Sequence, residues 1–98
     1  MAYFAVMREK GSGWERSRRM REQAEWDAHA EFMEGLVDEG FVVLAGPLGE
    51  GERFLLIINA ENVEAVHARL APDPWTDMDL LRVVEVTPWR VLLGEKKP

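Results

Sequence analysis

The feature that most constrains this chain is the stretch Trp26–Pro47, WDAHAEFMEGLVDEGFVVLAGP, which passes from helical to strand periodicity almost without a linker. Trp26, His29, Met33 and Leu36 recur at i, i+3, i+7 and i+10, one stripe of a helix that must bury against a sheet. Gly40 stands where a left-handed helix stop belongs. Phe41–Ala45 is apolar throughout, which asks for cover on both faces of a strand. Gly46-Pro47 then ends it, since proline has no N–H to give a ladder. His29 lies on the stripe that otherwise reads as core. A titratable ring so placed is either a satisfied core histidine or a working group, and the residues alone leave both open.

The flanking segments complete an order of elements. Ala2–Arg8 reads as a strand, and Gly11 and Gly13 mark a loop after it. Ser12-Gly13-Trp14-Glu15 fits a capping box, so the first helix starts there or settles by Ser17, and runs to Glu39. Gly49–Glu52 turns the chain into a third strand, Arg53–Asn59, antiparallel to the second. Asn59 or Asn62 caps a second helix that ends at Leu70 or Ala71 and buries Val63, Val66 and Leu70. His67, beside that stripe, reads as boundary surface. Pro72-Asp73-Pro74-Trp75 breaks the helix, and Leu80 to about Leu92 forms a last strand interrupted or bent at Pro88, before a loose tail, Gly94–Pro98. The order βαββαβ is that of an α+β, ferredoxin-like fold, a four-stranded antiparallel sheet with two helices on one face.

The other face of such a sheet meets water, where alternate residues should be polar. Here Tyr3–Val6, Phe41–Leu44, Phe54–Ile58 and Val83, Val84, Val86 are apolar on both parities. The simplest cover for so large an apolar face is a second copy, sheet against sheet, in a two-fold homodimer.

At 98 residues the chain is one domain, residues 1–98, and with 47% hydrophobic residues it supports a core without staples. It has no cysteine, which excludes disulfides, thiolate catalysis and cysteine zinc sites. Neither a signal peptide nor an apolar run of membrane-spanning length is visible, so a soluble, cytoplasmic protein is expected. A net charge of −6, from 18 acids and 12 bases, argues against nucleic acid as a partner. Arg16, Arg18, Arg19 and Arg21 crowd together, either as a solvated helix face or as a collar that draws in a small anion.

Few chemistries remain. There is no phosphate loop, no dinucleotide fingerprint, and no serine or cysteine nucleophile set in a motif. Two histidines without cysteine make no recognisable metal cluster. What is left is proton transfer on a small organic molecule, with no cofactor. A partner for His29 is offered by Asp73, a carboxylate held between two prolines, although turn chemistry alone also explains an aspartate there. Trp26, one turn before His29, is either an aromatic wall for a ring substrate or a core or dimer contact, and Trp75 and Trp89 carry the same two readings.

The motifs WDAHAEFM at Trp26–Met33, Gly40, AGPL at Ala45–Leu48, DPW at Asp73–Trp75 and VEVTPW at Val84–Trp89 together resemble the YCII-related (YciI-like) family, in order and spacing, over almost the whole chain. The resemblance implies a dimeric α+β barrel of ferredoxin-like protomers. It implies a His–Asp pair in a pocket near the sheet, which falls on His29 and Asp73, and a Gly-Pro corner at Gly46 and Pro47 as substrate-binding surface. Most members of the family have no established reaction, and a few relatives resemble ring-opening, isomerising or dehalogenating enzymes that act on small cyclic acids or phenols. Two departures stand out: Gly11–Glu25 is long and basic, as if forming a lip over the pocket, and Asp77 and Asp79 compete with Asp73 for its role. On this reading Asp73 fixes the imidazole tautomer and the other ring nitrogen works as general acid or base. The alternatives are a ligand-binding module without turnover and a dimeric interaction module in which His29 is only buried and paired. A closed surround for His29 favours the last, an open pocket the first two.

Overall fold

The first strand, β1 (Ala2–Lys10), alternates strictly: Phe4, Val6 and Arg8 are buried while Tyr3, Ala5 and Met7 are half-buried. It lies inside a four-stranded antiparallel sheet of order β2-β3-β1-β4, with β2 at Val42–Leu48, β3 at Arg53–Ala60 and β4 at Leu81–Trp89. The structure is a computed structural model that describes residues 1–94, so the expected loose tail lies, beyond Gly94, outside the described residues. Helices α1 (Trp26–Asp38), α2 (Val63–Leu70) and α3 (Pro74–Asp77) cover the face carrying Phe4 and Val6, where Leu36, Val66, Leu70 and Trp75 join them in one core. This is the expected ferredoxin-like arrangement, with one short helix more than the sequence suggested.

The helix ends follow local chemistry. After α1, Gly40 adopts φ +81° and its N–H donates to the Val37 carbonyl, while the Phe41 N–H donates to Leu36, so two orphan carbonyls are satisfied. Of the two candidate caps for α2 it is Asn62 that accepts from the Ala65 N–H, at 2.8 Å, a contact worth about 1 kcal/mol.

The first helix starts much later than expected, at Trp26. Ser12 does not cap it, because both its N–H and its hydroxyl donate to Asp79 Oδ2. The buried Gln23 accepts from the Glu15 N–H and donates to the Glu15 and Arg18 carbonyls, giving this backbone partners that compete with a helix. Residues 11–25 are therefore a strap with one 3₁₀ turn at Met20–Glu22, pinned by Trp14, which packs edge-on to Trp75 with ring centroids 5.6 Å apart. The arginine cluster lies on this strap rather than on a helix face: Arg16, Arg18, Arg19 and Arg21 are exposed, with Arg16 paired to Glu52.

Two bulges change which residues face inward. In β2, Val42 pairs with Ile58 and Leu44 with Ile57, so Val43 is the extra residue. Beyond it Ala45 and Pro47, opposite Leu56 and Phe54, face the helices, while Leu44 turns outward. In β4 the shift falls opposite Met7 and Arg8, so Val83 and Val86 both point inward. Part of what reads in sequence as a two-faced apolar strand is therefore a change of parity. Pro47 and Pro88 do not interrupt their strands, contrary to expectation, since β2 and β4 are the sheet edges and one side of each has no ladder to supply. Nor is β2 covered on both faces: Val43 and Leu44 are exposed in the single chain, 44% and 69%.

Candidate active site

Arg8, His29 and Asp73 meet between the sheet and the helices, and all three are buried. Each is aimed by its element. Arg8 is on the inward parity of β1. His29 is on the stripe of α1 that faces the sheet. Asp73 is the N-cap of α3, with Pro74 at the first helical position, and its Oδ1 accepts from the Trp75 N–H at 3.0 Å. The flanking prolines and this cap leave the carboxylate little freedom.

Asp73 is fully buried, and each of its contacts is a donor. His29 Nδ1 lies 2.9 Å from both Oδ1 and Oδ2, and Arg8 Nη2 donates to Oδ2 at 3.1 Å. Burial by itself raises the carboxyl's pKa. The bonds from His29 and the Trp75 N–H, with the charges of His29 and Arg8, outweigh it and hold the group below its ordinary value. Asp73 is therefore ionised at neutral pH and only accepts, which makes Nδ1 the protonated nitrogen of His29. Burial draws the Arg8 guanidinium below its ordinary value, and Asp73 opposes that.

The imidazole is also held face-on. Trp75 stacks on it with centroids 3.8 Å apart and planes 6° from parallel, and the indole N–H is itself tied to the Ala24 carbonyl at 2.7 Å. Removing Trp75, which is fully buried, would cost roughly 3–5 kcal/mol in lost packing alone. Among the described residues His29 Nε2 has no hydrogen-bond partner, and it is not an enclosed orphan, because there Arg8 Nε is the only buried side-chain nitrogen or oxygen atom without a partner. Nε2 is thus left accessible.

What it meets is a cavity of about 270 Å³ lined by Arg8, His29, Met20, Met33, Ala45, Gly46, Pro47, Phe54, Leu56, Trp75 and Leu81. Of the residues expected from sequence, His29 and the Gly46-Pro47 corner line it, and Asp73 stands directly behind His29. Trp26 does not line it: its ring sits 5.8 Å from that of Trp75, so Trp75 is the aromatic wall. The strap adds Met20. Asp77 is exposed, and Asp79 is taken up by Ser12 and Arg82, so neither competes with Asp73. Among the described residues no three acidic or histidine side chains converge as metal ligands. Arg8 was missed in sequence, although a charged residue on the same parity as Phe4 and Val6 was a usable signal.

The arrangement can exchange a proton at Nε2, with the ring held in place by Asp73 at Nδ1 and by the Trp75 face. Among the described residues the cavity wall offers no side-chain hydroxyl or thiol. No helix of the described residues is long and apolar enough to cross a membrane.

The fold is similar to that of 5-chloro-2-hydroxyhydroquinone dehydrochlorinase from Burkholderia phenoliruptrix AC1100, solved in complex with 2,5-dihydroxybenzoquinone. The two chains are 24% identical, the alignment covers 94% of this chain and 95% of that one, and the TM-score is 0.55, a likeness of fold. No curated protein sequence matches the chain. The family model for the YCII-related domain matches residues 1–90, the strap, the His29 helix and all four strands included, and the chain belongs to that family.

Proposed function

We propose that this protein is a cofactor-free enzyme that moves a proton on a small cyclic organic compound, with His29 as general acid or base and Asp73 as the residue that fixes its tautomer. One observation carries the reading: Nδ1 is engaged by both Asp73 oxygens at 2.9 Å while Nε2 is unpaired beside a cavity. A purely structural histidine would have both nitrogens satisfied and no space before it. The cavity's apolar lining suits a flat ring, and the dehydrochlorinase of similar fold, with its quinone ligand, supports phenols and quinones as the first compounds to try.

The test is a screen of cyclic phenols, quinones and ring acids, 5-chloro-2-hydroxyhydroquinone among them, read by exchange of solvent deuterium into carbon and by chloride release. The reading expects turnover by the wild type and none by a folded His29→Gln variant. Turnover that survives in His29→Gln overturns it. Ligands that bind and shift the His29 ring signals without any turnover replace it with a binding module.

The open sheet face supports a homodimer as the assembly. Leu44 and Trp89, 69% and 46% exposed, flank Tyr3, Ala5, Leu55 and Ile57 on the side away from the helices. Sedimentation of Leu44→Asp should give a monomer where the wild type gives a dimer; a monomeric wild type at micromolar concentration removes the idea.

A further inference from the structure

The structure assigns a second ligand-contacting group to this cavity: we propose that Arg8 anchors an oxyanion, so that the cavity selects a planar organic monoanion over its neutral counterpart. The inference rests on the reading of the cavity as a ligand site and adds the residue that sets the ligand's charge.

Arg8 is 2% exposed, and a guanidinium so buried brings five N–H donors that need acceptors. They are not matched. Nη2 reaches Asp73 Oδ2 at 3.1 Å and Thr76 Oγ1 at 3.4 Å. Nη1 reaches only the Met33 sulfur, at 3.9 Å, and Nε reaches nothing. An arginine kept only to balance Asp73 should use its paired donors on the carboxylate. Here one nitrogen does so, and the rest of the group, beside Met33 in the cavity wall, lacks an oxygen partner. Leaving buried donors unmet is costly, and an acceptor brought by a ligand removes that cost.

The charges point the same way. Among the described residues no carboxylate lines the cavity, whose polar side chains are Arg8 and His29. Asp73 stands behind them, outside the lining, and its bonds with His29 Nδ1, Arg8 Nη2 and the Trp75 N–H engage both its oxygens. An oxyanion therefore meets donors in the wall and no opposing carboxylate, while a neutral ring leaves the Arg8 donors unmet. The lining of Trp75, Phe54, Leu56 and Met33 accepts the flat apolar remainder.

Benzoate and benzamide have nearly the same shape and differ in charge, so they separate these effects. Calorimetric titration of the full chain at low salt is expected to show benzoate bound tenfold or more tightly than benzamide, the ratio a charge-assisted hydrogen bond confers. In Arg8→Gln the preference should fall to within about twofold, and in Arg8→Lys a part should return. Should Arg8→Gln fail to fold, the Arg8 Nε–H signal of the wild type decides: it moves on adding benzoate and stays on adding benzamide. Equal affinities for the two ligands overturn the anchor but leave the His29–Asp73 reading standing. A benzoate preference that persists in Arg8→Gln, or leaves the Arg8 signal in place, also overturns it and moves the anion to His29. Binding of neither ligand overturns it together with the ligand cavity.

Discussion

Asp73→Asn isolates charge from shape at the buried centre of this protein. Asparagine keeps an acceptor for the Trp75 N–H, so the cap of α3 survives, but the 2%-exposed Arg8 loses the only carboxylate it touches. At 3.1 Å and an effective dielectric of about 20, that pair is worth about 5 kcal/mol of Coulomb energy. Breaking such a buried pair from one side typically costs about 3–5 kcal/mol, so the two figures agree. A chain of 98 residues has only about 5–15 kcal/mol of stability, and the variant should melt at least ~12 °C below the wild type. The informative step is the double variant Arg8→Met/Asp73→Asn, which removes both charges. It should be more stable than Asp73→Asn alone, with a coupling of about 3 kcal/mol, because no uncompensated charge stays buried. Urea unfolding followed by tryptophan fluorescence, at one protein concentration to hold assembly constant, gives all four corners of the cycle. If the single effects simply add, to within about 0.5 kcal/mol, Arg8 and Asp73 are not energetically paired and the reasoning fails.

Two further outcomes follow from the same geometry. The Asp73 carboxyl is held below its ordinary value in the folded chain, so its share of stability is complete above the unfolded value of about 3.9 and is lost as pH falls through the lower folded one. Acid melting curves of the wild type should therefore drop below about pH 4 more steeply than those of Asp73→Asn, and parallel curves would contradict the burial and bonding described for this group. Gly13→Ala would drive a Cβ into the Met78 carbonyl oxygen, which is backbone and cannot swing aside. We expect it to lift the strap, lower stability by about 1–3 kcal/mol and expose Trp14, seen as a red shift in its emission; an unchanged spectrum and melting temperature would mean the strap is not seated there.

The fold was legible because two helical stripes and four apolar strands follow one another in an order that few architectures accept. His29 and Asp73 stood out by position and by the family's motifs, and the folded chain brings them within 2.9 Å. What stayed hidden depended on contacts made at long range. The false start of α1 came from reading Ser12 and the residues after it for propensity, whereas Asp79 and Gln23 decide that segment by contacts that helix propensity does not encode. Arg8 is hidden in a strand whose pattern is hydrophobic, and only a charge on the inward parity of Phe4 and Val6 marks it. Of the tryptophans open to both readings, Trp75 and not Trp26 lines the cavity, because a four-residue helix, too short to be seen in periodicity, carries it inward.

The bulge at Val43 makes this cavity sensitive to counting. Beyond Val43 the strand presents Ala45 and Pro47 to the cavity and Leu44 to the outside, and that assignment rests on one surplus residue. Pairing without the bulge, with Val43 opposite Ile57, restores plain alternation, and every side chain from Leu44 to Leu48 changes sides. Such a register keeps the composition unchanged, yet it loses the Pro47 wall and the outward Leu44 together. Point substitutions along β2 act one side chain at a time, whereas a one-residue slip rewrites the cavity and the outer face at once.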